Sequence, residues 1–111
     1  FSINPTLRAI LDPYIEGMAD HEYLFQSRKG ENQPISRVQA YRVLKQVGDK
    51  LGIEDFATHT MRKTFGYHHY QQYKDVVILQ EIFNHSAPSV TLRYIGITQD
   101  EIDQSYNGFG L

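Results

Sequence analysis

The feature that most constrains this chain is its punctuation: helix-start signals at Asn4-Pro5, Ser36, Thr58, Asp75, Pro88 and Thr98 cut it into short segments. Each puts a capping oxygen or a proline where the first N–H groups of a helix have no partner inside the helix. Behind each signal, apolar residues recur every three or four positions, the period of a helix with one buried face. A chain divided this often is expected to be mainly α, built from short helices.

Taken in order, Asn4-Pro5 opens a helix with Leu7, Leu11, Tyr14 (or Ile15) and Met18 on one face, which Pro13 should kink or restart from Asp12. His21 to Gln26 is an apolar-centred run of strand type, and residues 27–34, SRKGENQP, supply turns, so a small β element is expected near the start. Ser36 caps a helix striped by Val38, Tyr41, Leu44, Val47 and Leu51, with Gly52 as its stop. Thr58 reads as the N-cap of the next, with a buried stripe through Met61, Phe65, His68 or His69, and Gln72, leaving Tyr67, Tyr70 and Tyr73 on other faces. Asp75 opens a shorter helix carrying Val77, Ile78, Ile82 and Phe83, which Asn84-His85 ends; Pro88 opens another through Val90, Leu92 and Tyr94. Thr98 and Glu101 form a capping-box pattern for a segment running to Tyr106, closed by Asn107-Gly108.

With 111 residues, 41% of them hydrophobic, the expectation is one compact core. There is no cysteine, which excludes disulfides and thiolate metal sites and fits a reducing, cytoplasmic setting. No apolar run approaches the roughly 20 residues of a membrane span, and the start lacks a signal-peptide pattern. Phe1-Ser2-Ile3 alternates like the end of a strand whose beginning is missing, so the chain reads as part of a longer one. A net charge of -2 and a pI near 6.2 argue against a free-standing nucleic-acid binder, because phosphate affinity comes largely from Lys and Arg displacing counterions.

Chemistry concentrates in two stretches. His59 and Arg62 stand three apart in a predicted helix, so they project from one face with about 5–6 Å between Cβ atoms. The arginine offers a planar fork of donors for a phosphate, and the histidine can exchange a proton near neutral pH. Alone the pair is a very weak signal, and the plainer reading, with Arg62 bound to a carboxylate and His59 merely following a cap, is preferred. His85 lies in a tight interhelical turn, and Tyr94 follows nine residues later near the end of the helix that Pro88 opens. A metal site from His59, His68, His69 and His85 is disfavoured, because no His-Glu-x-x-His pair occurs and adjacent His68 and His69 point apart. His68 reads as partly buried, His69 as a surface residue and His21 as a loop or strand-edge residue. Tyr14, Tyr23, Tyr41, Tyr67, Tyr70, Tyr73 and Tyr106 read as packing residues with a polar tip.

With Thr-His-Thr-Met-Arg-Lys-Thr-Phe at 58–65 and Asn-His-Ser-Ala-Pro-Ser-Val-Thr-Leu-Arg-Tyr at 84–94, the chain resembles the tyrosine recombinases of the phage-integrase group, which cut and rejoin DNA. The resemblance covers most of the chain and implies a truncated catalytic domain of that type. It implies that Tyr94 attacks a backbone phosphate, that Arg62 and His85 hold its nonbridging oxygens, and that His59 helps remove the tyrosine proton. No cofactor is implied; the partners would be double-stranded DNA and, for a full-length protein, other copies in a tetramer on DNA. Residues 98–111 would be a tail exchanged between protomers, docking through Ile97, Ile102, Tyr106 and Phe109. A noncatalytic helical interaction module is the alternative.

The family also uses an earlier helix arginine and a hairpin lysine, and neither Arg8 nor Lys29 fits those roles. Both, with a DNA-clamping basic domain that would answer the charge objection, are expected before Phe1. Residues 1–111 alone are therefore expected to carry out no recombination and to cleave DNA poorly; rapid nicking of a suicide substrate by this chain would overturn that expectation.

Overall fold

A computed structural model describes residues 2–110, and it is mostly helical, with almost no strand: α1 (Pro5–Ile15), α2 (Arg37–Leu51), α3 (Thr58–Tyr73), α4 (Val76–Phe83), α5 (Pro88–Tyr94) and α6 (Gln99–Asn107). Where composition suggests a single core, the chain divides into two compact units, residues 1–42 and 43–111, with the boundary inside α2.

In the first unit Asn4 Oδ1 accepts the Leu7 N–H at 2.8 Å, and Pro5 takes the first helical position. The helix does not restart at Asp12. It runs through Pro13 to Ile15 and ends before Met18, which drops out of the expected stripe. The donor that Pro13 lacks would have served Ala9, whose exposure leaves its carbonyl to water. No residue of α1 is buried, and Ile10 is 66% exposed. The expected strand over His21–Gln26 is also absent, reduced to one antiparallel bridge between Gln26 and Pro34. That bridge is made by Ser27 N–H to Gln33 O at 2.7 Å and Ile35 N–H to Phe25 O at 2.8 Å, a register in which the missing N–H of Pro34 is not required. The ladder stops because a side chain replaces the next strand: Asn32 accepts the Tyr23 N–H at 2.9 Å and donates to His21 O at 3.0 Å.

Ser36 Oγ accepts the Gln39 N–H at 3.1 Å and starts α2 as expected. The stripe along α2 is not a buried one, since Val38, Tyr41, Val47 and Leu51 are exposed and only Gly48 is buried. Closest approach selected the residue without a side chain: a Cβ at position 48 would lie 2.5 Å from Phe56 Cβ. Beyond Leu51 the bonds Ile53 N–H to Gly48 O and Gly52 N–H to Asp49 O make a Schellman turn, which needs the positive φ (69°) that glycine supplies.

The second unit owes its core to α3, α4 and α5. The N-cap of α3 is Ala57 rather than Thr58, and the reciprocal half of a capping box is present, with Thr60 Oγ1 accepting the Ala57 N–H at 3.0 Å. Asp75 Oδ1 caps α4 by accepting the Val77 and Ile78 N–H groups, both at 3.0 Å. Pro88 opens α5, and Glu101 accepts the Thr98 N–H at 3.0 Å at the start of α6. Leu79, Phe83 and Ile95 form the core around fully buried Thr91, with Tyr70, Ile82, Tyr94 and Ile97 packed against it.

The face of α3 that meets this core differs from the expected stripe. Met61 and Phe65 are about half exposed, whereas Gly66 is buried and Tyr70 is half-buried. A Cβ on Gly66 would come within 2.7 Å of the Phe83 ring and of Ile95 Cγ2. Hydrophobicity alone points to the large residues; the helices touch where the side chain vanishes. Replacing Gly66 with Val forces overpacking that typically costs about 1–3 kcal/mol and adds a β-branched residue to a helix. Urea unfolding of Gly66→Val should show a lowered midpoint, and an unchanged midpoint would contradict this packing.

Candidate active site

The site is assembled from the N-terminal turns of α3, the end of α4 and one face of α5. His59 stands in the first turn of α3, and Arg62 follows one turn later. Arg62 Nη2 donates to the Phe83 carbonyl at 3.1 Å, and its Cζ lies 4.7 Å from the centroid of the Phe83 ring. Phe83 is the last residue of α4, so its carbonyl lacks an intrahelical donor. The guanidinium supplies one and sets a cation at the negative end of the helix. The alternative of Arg62 paired to a carboxylate is not realised: among the described residues, the salt bridges are Arg8–Asp12 and Lys45–Asp49.

His85 is placed by the turn that ends α4. Asn84 adopts positive φ (56°), which asparagine tolerates better than most residues, and the turn closes through Asn84 N–H to Glu81 O and His85 N–H to Gln80 O. Gln80 Nε2 also donates to the His85 carbonyl at 3.2 Å, so one residue holds the histidine backbone at both ends. The imidazole Nδ1 lies 2.9 Å from Thr91 Oγ1.

Three residues after Thr91, on the same face of α5, Tyr94 completes the group. Its ring stands edge-on to His85 at 5.1 Å and to Phe83 at 5.4 Å. Its hydroxyl is 3.5 Å from His59 Nδ1, the outer limit of hydrogen-bonding reach, a length common for reacting pairs without substrate. Tyr94 thus meets both His59 and His85, and Arg62 joins the group through Phe83. Lys63 Nζ lies 5.4 Å from the Tyr94 ring centroid and Arg62 lies over the adjoining Phe83 ring, and neither cation has a carboxylate partner among the described residues, in a chain of net charge -2. Such a local field suits an anionic ligand.

The other histidines reverse their expected places. His68 is exposed, while His69 is half-buried between Phe65 and Tyr73, with its Nδ1 shielded and unpaired. Among the described residues no three His, Asp or Glu side chains gather where they could hold a metal ion. Two neighbours of the site were missed from sequence. Thr91 had a usable signal in its i, i+3 relation to Tyr94, whereas the helix-end role of the Phe83 carbonyl had none.

The chain is similar in sequence to known proteins. The chain is 49% identical over 105 residues to the probable integrase/recombinase YoeC of Bacillus subtilis, covering 95% of this chain and 58% of that protein. It is 34% identical over 86 residues to the tyrosine recombinase XerD of Corynebacterium glutamicum, covering 77% of this chain and 28% of that protein. The tyrosine recombinase XerD of Staphylococcus aureus is 34% identical over 89 residues, covering 79% of this chain and 30% of that protein. The chain therefore spans less than two thirds of each of these relatives. No solved structure matches it. With residues 2–101 matching the phage integrase family, and with relatives of this kind, the chain belongs to that family.

Proposed function

We propose that this chain is the catalytic portion of a site-specific recombinase that breaks and rejoins double-stranded DNA through a 3′-phosphotyrosine link. The observation that carries this reading is the Tyr94 hydroxyl within 3.5 Å of His59 Nδ1 while the same ring packs on His85. A phenol, with a reference pKa of about 10, is a weak nucleophile at neutral pH and needs a base at its oxygen. His59 is the residue in position to take that proton. Tyr94 Oη then attacks phosphorus, the bond from phosphorus to the 5′ oxygen breaks, and that oxygen leaves with a proton from an acid outside this group. Attack by a 5′ hydroxyl reverses the step and rejoins the strand.

The pentacoordinate transition state spreads charge over two nonbridging oxygens, and prepositioned donors lower its energy more than they lower that of the ground state. Arg62 and His85 supply those donors. The Arg62 fork is anchored at one nitrogen on the Phe83 carbonyl, which fixes its orientation at small entropic cost. No helix of the described residues is long and apolar enough to cross a membrane. In the complete gene product, Tyr94→Phe should abolish covalent capture of a nicked DNA substrate while leaving unfolding unchanged. Persistent capture would remove Tyr94 as nucleophile, and a parent that never captures DNA would favour the noncatalytic interaction module.

We also assign residues 98–111 to exchange between protomers, with a tetramer on DNA as the working assembly. Ile102 borders a shallow groove of about 280 Å³ with Tyr70, Lys74, Ile97, Glu101 and Ser105, whereas Tyr106 and Phe109 are 78% and 73% exposed. Two large aromatic residues left in water at the end of an amphipathic helix suit a neighbouring copy better than their own core. Light scattering should give a larger mass for the 111-residue chain than for one ending at Gly96. Equal oligomeric states would exclude the exchange.

A further inference from the structure

We infer that Thr91 is a positioning residue that locks His85 in the tautomer carrying its proton on Nε2, so that even a neutral His85 presents a donor to the phosphate. The inference rests on the recombinase reading for its catalytic consequence and on the hydrogen-bond geometry for the tautomer itself.

Thr91 is fully buried, and among the described residues the one hydrogen-bond partner of its hydroxyl is His85 Nδ1 at 2.9 Å. A hydroxyl has a single hydrogen to give. If Nδ1 carried the imidazole proton, the threonine oxygen would accept it and the threonine hydrogen would be left buried without an acceptor, which is costly. With the bond running the other way, the hydroxyl donates to a bare Nδ1 and both groups are satisfied. The hydrogen bond at one ring nitrogen decides what the other does, so Nε2 keeps the proton.

The ring has little freedom to escape this arrangement. Its backbone N–H and C=O are both bonded to Gln80, at 3.0 and 3.2 Å. Its faces and edges meet Phe83 at 5.4 Å and Tyr94 at 5.1 Å between centroids. A neutral imidazole free in solution exchanges tautomers, and each moment spent with the proton on Nδ1 would present a lone pair to an anionic oxygen. Thr91 removes that state without requiring His85 to be charged, and leaves the site's fixed positive charge to Arg62 and Lys63.

The test begins with the chain unaltered. In a long-range ¹H–¹⁵N correlation spectrum of the 111-residue chain at about pH 9, where free imidazole is neutral, His85 should show an unprotonated Nδ1 and a protonated Nε2. The reverse pattern overturns the inference. Thr91→Val, nearly the same shape without the hydroxyl, should shift His85 toward a mixture of tautomers, and Thr91→Ser should restore the original pattern. In the complete gene product, Thr91→Val should slow covalent capture of DNA roughly tenfold or more, the scale on which partners that orient a histidine's far nitrogen act, with Thr91→Ser recovering most of the rate. Val and Ser variants with equal rates and unchanged tautomers would also overturn it. Should the unaltered gene product capture no DNA, the recombinase reading fails and takes the catalytic half of the inference with it, a result distinct from a reversed tautomer.

Discussion

The contact between Phe83 and Gly66 is the constraint on which the rest of the second unit depends. A ring can lie within van der Waals distance of the α3 backbone only because position 66 carries no Cβ. Once seated, that ring touches Phe65, His85 and Tyr94, lies under the Arg62 guanidinium, and is continuous with the carbonyl that Arg62 binds. One buried phenylalanine therefore serves as core residue, helix terminus and platform. The proposed phosphate ligands and nucleophile take their mutual distances from it rather than from direct bonds between themselves. Close-packed interiors transmit displacement instead of absorbing it, so the spacing of the site is tied to the packing of the core.

The charge of the chain reads differently at the level of the site than at the level of composition. A net charge of -2 disfavours general attraction to phosphates, yet Lys63 lies over the Tyr94 ring and Arg62 over the adjoining Phe83 ring, with no carboxylate among the described residues pairing with either. Local field, not net charge, governs what an individual phosphate meets at close range, since screening limits exposed charges to about 8–10 Å at physiological salt. The acidic residues that set the overall sign are partly spent elsewhere: Asp75 on a helix cap, Glu101 on another, Asp12 and Asp49 in surface pairs.

Much of the local structure was legible because caps act over three or four residues. Asn4, Ser36, Asp75 and Pro88 start helices where they were expected to, and Glu101 closes the reciprocal bond at Thr98. The proposed grouping of His59, Arg62, His85 and Tyr94 came from resemblance rather than from periodicity, and the structure brings Tyr94 against His59 and His85. Faces were harder to read. The large residues Met61 and Phe65 suggested one side of α3, and the glycine that controls approach suggested nothing, because hydrophobicity measures what a residue gains by burial and not how near two backbones can come. His68 and His69 were exchanged for the same reason. Strand propensity at His21–Gln26 failed where a side-chain amide, Asn32, took over the hydrogen bonds that a longer ladder would have used. Propensity in a strand is realised only when a partner is available.

All four proposed reacting residues, together with Phe83, Gln80 and Thr91, fall between positions 59 and 94, on three successive helices and, for His85, in the turn between the second and third. The contacts that hold His85 span five residues to Gln80 and six to Thr91 and close with little loss of loop entropy, whereas Tyr94–His59 spans 35 residues and Arg62–Phe83 spans 21. The brace on His85 is therefore local in its connectivity, whereas the approach of Tyr94 to His59 depends on α3 and α5 being brought together by the core that Phe83 and Ile95 form.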